Sequence, residues 1–361
     1  MDENKQVIPT NYGALSTLVV VFFFWGFIAA GNGVFIPFCK HYFNLDQFQS
    51  QLIDFAFYFA YYVGAFLLFI YANFTGKDLV SKWGYKRSIV YGLLLSAMGA
   101  IAMIVAVNGN TFTGMLIGFF TVAFGFSLQQ TAANPFALSL GDPATGANRI
   151  NLGGSINSFG TFIGPIVVAL VLFGVTKSDD SLIHTLKLTK VSTLYAFVCF
   201  LFIAAAALFY FSKKVPEGIS IEKTESANKA FFAILLMTLL LVVMFIPVFN
   251  SYKVDTVDEL VKKATELTRF KWLLGALVVI VLTLVISFFS AKGNPSGWGA
   301  MKYPQLVLGM LAIFVYVGVE VTVGSNLSEL LKQDTFGGYQ SSEAAPFVAI
   351  YWGSLMIGRW A

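Results

Sequence analysis

SLQQTAANPFALSLGDPATGANRINLGGSINSFGTFIG, residues 127–164, is apolar enough to be buried in lipid, yet it carries Gln129, Gln130, Asn134, Asn151 and Asn157. An amide in hydrocarbon needs a partner, so amides and glycines set in long apolar segments indicate a polar path through a membrane. Pro135 removes a backbone donor and is expected to kink its helix. The carbonyls this frees near Asn134 are tolerable only where the backbone faces protein or a cavity. Gln130 and Asn134 are four residues apart and share one helix face.

The rest of the chain agrees with a membrane setting. It has 361 residues, 57% hydrophobic and 12% charged, with mean hydropathy +0.75. A soluble domain carries about twice that charge. Apolar runs of about 18 residues or more recur, each long enough to cross a bilayer as a helix. The chain therefore reads as an all-α polytopic membrane protein. The short alternating segments of a membrane β-barrel are not its pattern.

Spans are predicted near 13–38, 50–74, 87–107, 112–139, 152–174, 190–212, 230–249, 272–291, 304–326 and 345–361. The first apolar run is too long for a signal-peptide core and is expected to remain as a helix. The last run ends on Gly358-Arg359-Trp360-Ala361 without a polar tail, which reads as a cut through a longer protein.

Positive charge orients the chain, because Lys and Arg concentrate in cytoplasmic loops. An N-terminus inside places Lys77, Lys82, Lys86 and Arg87 in one cytoplasmic loop and Lys213, Lys214, Lys223 and Lys229 in another. The loop 250–271 is the main external concentration of cations. It reads as an amphipathic surface helix with Val254, Val257, Val261 and Ala264 on one face and a Glu259/Lys263 pair.

Domain boundaries follow. Residues 1–212 form a first six-helix bundle and 213–229 a polar cytoplasmic linker containing Pro216 and Gly218. Residues 230–303 hold two plain apolar helices that read as an insertion with an external loop. Residues 304–361 begin a second bundle that is incomplete. Ala60-Tyr61-Tyr62-Val63-Gly64 is echoed by Ala349-Ile350-Tyr351-Trp352-Gly353, the repeat that a duplicated half would leave.

The chemistry points away from an enzyme. The sequence contains no Walker loop, nucleophile elbow or metal-ligand spacing. His41 and His184 are both expected outside, without clustered partners. Cys39 and Cys199 read as packing thiols. No cofactor, metal or nucleic acid is implied.

Several linked motifs resemble the major facilitator superfamily and, within it, the fucose/proton symporter family of sugar permeases. Lys82-Trp83-Gly84-Tyr85-Lys86-Arg87 is similar to the superfamily's loop between helices two and three, with Lys77 and Ser81 departing from its pattern. QQTAANPF (Gln129–Phe136), Arg149-Ile150-Asn151-Leu152 and Asn157-Ser158-Phe159-Gly160 resemble the symporter family. So do FFFWGFIAAGNGVFIP (Phe22–Pro37), QSQLIDFAFYFAYYVG (Gln49–Gly64), Tyr316–Glu320 and Ile357-Gly358-Arg359.

The resemblance implies two six-helix bundles rocking about a central sugar site in the inner membrane, with the N-terminus cytoplasmic and a monomer as the working unit. It also shows two departures. The family's symporters carry an aspartate where Gly33 follows Asn32, and a glutamate where Gln130 stands. Glutamine can bind a sugar hydroxyl but cannot carry a proton near pH 7.

The expected solute-binding residues are Asn32, Gln129, Gln130, Asn134, Asn157 and Glu320, with Trp25, Tyr58, Tyr61 and Tyr62 as candidate stacking rings. Asp54 and Glu320 are the acidic residues inside predicted spans, and each is a candidate for coupling to protons; sodium is the other coupling ion considered. Same-fold transport of another small polar solute, and a non-transporting sugar sensor, are the alternative readings.

Overall fold

The computed structural model describes residues 8–174, 188–219, 225–254, 258–339 and 341–360, and every regular element in them is helical. The long helices are α1 (Tyr12–Tyr42), α2 (Gln47–Thr75), α4 (Tyr85–Asn108), α5 (Phe112–Ser139), α6 (Gly146–Phe173), α7 (Leu188–Phe211), α8 (Asn228–Ser251), α9 (Glu259–Gly293), α10 (Pro304–Lys332) and α11 (Ser341–Trp360); a short α3 (Leu79–Trp83) precedes α4. Among the described residues nine helices are long and apolar enough to cross a membrane. The tenth expected span is also helical, as α11, but is not one of those nine.

Helix ends follow local chemistry. Asn11 caps α1 by accepting from the Ala14 amide at 3.0 Å. Asp46 and Gln49 form a reciprocal capping box at the start of α2: the Gln49 amide donates to Asp46 at 2.6 Å and the Asp46 amide to Gln49 at 3.0 Å. Gly84 lies between α3 and α4 with φ 84°, which a side chain disfavours; a Cβ there would also sit 2.5 Å from the Glu217 carbonyl.

Two expectations change. The fifth span begins six residues earlier than predicted: α6 starts at Gly146, so Arg149 lies inside the helix. The amphipathic segment expected as a separate surface helix is instead the first part of α9, continuous with the apolar span behind it. Within it Glu259 pairs with Lys262 at 3.9 Å rather than with Lys263. Val257, assigned to its apolar face, and His184 lie outside the described residues.

The chain forms two units. The first comprises Met1–Leu68, Leu79–Glu222 and Thr322–Ala361. In it α1 packs on α6, α4 on α5 and α7, and α6 on α11. Phe57, Phe119, Phe126, Phe136, Phe202 and Phe209 fill its centre, each fully buried. Helices in lipid associate mainly through close packing, which small residues permit. A Cβ on Gly160 would lie 2.3 Å from the Phe23 carbonyl of α1, and one on Gly125 would lie 2.5 Å from the Gly92 carbonyl of α4. Cys39 and Cys199 are buried free thiols.

The basic turn after α3 is held within this unit. Lys86 donates to the Ser212 carbonyl at 3.0 Å, just past the end of α7, and Arg87 meets Glu217 at 3.1 Å.

The second unit comprises Phe69–Asp78 and Lys223–Val321. Its α8 and α9 lie side by side. Arg269 of α9 donates to the Ser251 hydroxyl at 2.9 Å and lies over the Tyr252 ring. At the other end Glu225 accepts from Tyr303 at 3.1 Å and pairs with Lys302 at 2.7 Å, while Asn73 donates to Asn228 at 2.8 Å.

Candidate solute-facing site

α5 is the helix from which the site is built. Its two faces are separated by packing. Phe119, Phe126, Ala133 and Phe136 point into the first unit, while Thr131, Asn134 and Leu138 are exposed. Pro135 lies inside the helix, which continues to Ser139.

The C-terminal end of α5 is secured by Arg149, 3% exposed. Its Nε donates to the Ala137 carbonyl and one Nη2 hydrogen to the Leu138 carbonyl, both at 2.7 Å. Nη2 also reaches the Asp142 carbonyl at 3.0 Å, and Nη1 the hydroxyls of Thr145 at 2.7 Å and Thr10 at 3.5 Å. All five guanidinium donors are thereby used, and the positive charge sits where the helix dipole is negative.

The expected binding residues separate by environment. Gln129 is fully buried. Its Oε1 accepts from Trp25 of α1 at 3.2 Å and its Nε2 donates to Ser96 of α4 at 3.1 Å. Ser96 in turn donates to the Val122 carbonyl at 2.9 Å. This amide ties three helices together and does not lie on the open face of α5. Trp25, a candidate stacking ring, is buried in the same network.

Gln130 is half-buried and Asn134 exposed. Among the described residues neither amide makes a hydrogen bond to the protein. They lie one turn apart, as the spacing predicts. On α6, Asn151 is exposed and Asn157 half-buried, with the Asn157 amide donating to the Phe22 carbonyl of α1 at 3.1 Å. Asn157 thus both anchors α1 and borders the open side of α6.

Asn32 and Gly33 lie within α1, but the Asn32 side chain and the surroundings of Gly33 are outside the described set. Asp54 is half-buried on α2, in the first unit. Glu320 is half-buried on α10, in the second. Tyr58 is 43% exposed on α2, whereas Tyr61 and Tyr62 are half-buried.

Arg149 and Ser96 were not singled out as support for the site. Arg149 carries no signal of such a role, because the predicted span begins at residue 152 and leaves it in a loop; only the earlier start of α6 at Gly146 brings it into the helix. Nor does any signal mark Ser96, whose role depends on which residue of α5 faces it.

A helical bundle with polar amides along an otherwise apolar seam is a polytopic membrane architecture. Residues 14–359 match the Major Facilitator Superfamily, and the chain belongs to it. It is 29% identical over 362 residues to a glucose/galactose transporter of Brucella abortus biovar 1 (strain 9-941), an alignment covering 97% of this chain and 66% of that protein. The chain thus spans 66% of the length of that relative. It is also 32% identical over 176 residues to the L-fucose-proton symporter of Escherichia coli (strain K12), covering 48% of this chain and 38% of that one. The solved structure of the peptide transporter POT in complex with sulfate aligns with a TM-score of 0.52 at 16% identity, covering 95% of this chain and 68% of that one, a likeness of fold.

Proposed function

We propose that this chain is the larger part of a secondary transporter that moves a monosaccharide across the inner membrane by alternating access, with its N-terminus in the cytoplasm. The observation that supports this most directly is the pair Gln130 and Asn134, two amides one turn apart on the open face of α5 whose hydrogen bonds the described protein does not use. Amides offer both donor and acceptor to a sugar hydroxyl. Similarity to a glucose/galactose transporter across 97% of this chain supports a hexose as the solute.

In this reading residues 1–212 are the first bundle, 213–229 the linker, 230–303 an inserted helix pair and 304–361 the start of the second bundle. Asn157 and Asn32 join Gln130 and Asn134 around the sugar, and Gln129 positions α5 from behind. Sugar binding drives closure because the closed state makes more of these contacts than either open state.

Coupling, if protons drive uptake, passes through Glu320, with Asp54 the other acidic residue within a span. The test is uptake of radiolabelled glucose, galactose and fucose by cells carrying the complete gene, with and without a protonophore. Accumulation abolished by the protonophore supports proton coupling; equilibration without accumulation supports a facilitator. Uptake of none of the sugars overturns the reading. A Glu320→Gln variant that still concentrates sugar removes Glu320 from the coupling role.

A further inference from the structure

Arg359 lies in the last turn of α11, on a helix packed against α6. A cation on a membrane helix is costly unless its donors are satisfied. Arg359 Nη1 donates to the Gly154 carbonyl at 3.0 Å and to the Ser158 hydroxyl, both on α6. The arginine stem runs past Gly154, where an added Cβ would stand 3.4 Å from Arg359 Cδ, an ordinary contact distance.

Ser158 is 1% exposed and follows Asn157, which holds α1 through the Phe22 carbonyl. One turn of α6 is therefore gripped from two sides, by α1 through Asn157 and by α11 through Arg359. About one and a half turns before Arg359, Gly353 of α11 meets Phe162 of α6, whose ring would be 4.0 Å from a Cβ added to the glycine. Small residues give close approach without direction. The charge-assisted bonds of the guanidinium give this seam its direction.

We propose that Arg359 is a latch that holds α11 on α6 in the conformation described here, and that its release accompanies the parting of these helices during transport. The inference rests on the transport reading, in which α6 belongs to the first bundle and α11 to the second. Arg359 is then a positioning residue: it sets the balance between conformations and does not touch the sugar.

The test places cysteines at Phe162 and Gly353 in the complete protein, with Cys39 and Cys199 replaced by alanine, and measures crosslinking in membranes. Arg359→Gln is expected to lower the crosslinked fraction by about threefold or more, since losing a charge-assisted bond shifts a two-state balance by that order. Ser158→Ala deletes one acceptor and leaves the bond to Gly154, so a smaller fall of about twofold is expected. Both variants are expected to alter the maximal rate of uptake more than the half-saturating sugar concentration.

Crosslinking equal to the parent in both variants overturns the latch. Where Arg359→Gln fails to reach the membrane, Ser158→Ala decides alone by the same criterion. A parent that takes up no sugar, yet whose crosslinking depends on Arg359, overturns the transport reading while the latch between helices stands.

Discussion

The Gln129 amide joins α1, α4 and α5, accepting from Trp25 and donating to Ser96 in a fully buried position. Gln129→Leu keeps the volume but strands the indole N–H, and should lower stability by about 1–2 kcal/mol, read from thermal unfolding in detergent. Gln130 and Asn134 sit in a different environment, with amides that make no hydrogen bond to the described protein. Gln130→Ala and Asn134→Ala should leave the melting temperature within about 2 °C while raising the sugar concentration for half-maximal uptake several-fold, about tenfold for each 1.4 kcal/mol of binding lost. A shift in melting temperature without a change in uptake would return both residues to a packing role.

At the scale of the helix pair, α1 and α6 approach through Gly26 and Gly160, where an added Cβ would lie 2.0 Å from the Asn157 carbonyl and 2.3 Å from the Phe23 carbonyl. Backbone cannot yield as a side-chain tip can. Gly160→Ala is therefore expected to cost about 1–3 kcal/mol or more, seen as a lower yield of folded protein and a lower unfolding temperature. The clasp of the second unit makes a pH prediction. The hydrogen bond from Lys302, with that from Tyr303, holds the Glu225 carboxyl below its ordinary range, and Glu225 raises Lys302 above its own. A carboxyl lowered on folding contributes stability at pH above its ordinary value and loses it as pH falls through the lowered one. A raised lysine contributes below its ordinary value and loses it as pH rises through the raised one. The clasp is thus closed at neutral pH and opens in acid and in strong alkali. The Lys229 amide donates to the Gly297 carbonyl at 2.8 Å beside it. Hydrogen exchange at Lys229, corrected for intrinsic rates, should accelerate in acid, and Glu225→Gln should flatten that dependence.

Across the whole molecule, α9 has 35 residues. At 1.5 Å per residue it is about 52 Å long, well beyond a hydrocarbon core of about 30 Å. Its charged first part, with Glu259, Lys262, Lys263 and Glu266, should stand outside the lipid on the external side. A membrane-impermeant maleimide added to intact cells is expected to label Lys263→Cys and to spare Asp78→Cys, which the orientation places inside. The reverse pattern would invert the topology.

Membrane class, the helical spans and the family were legible in the chain itself, because span length and hydropathy are local properties and motifs such as QQTAANPF are contiguous. The continuity of α9 was not legible, since a polar first third and an apolar remainder read as two elements until one backbone hydrogen-bond ladder joins them. The division of labour between Gln129 and Gln130 was not legible either. Adjacent residues on a helix point about 100° apart, and only the neighbours placed by the fold, Trp25 and Ser96 beside Gln129, decide which of the two amides holds the bundle. Arg359 shows the same limit: its motif is readable in sequence, but its partners on α6 lie about two hundred positions away and meet it only through packing.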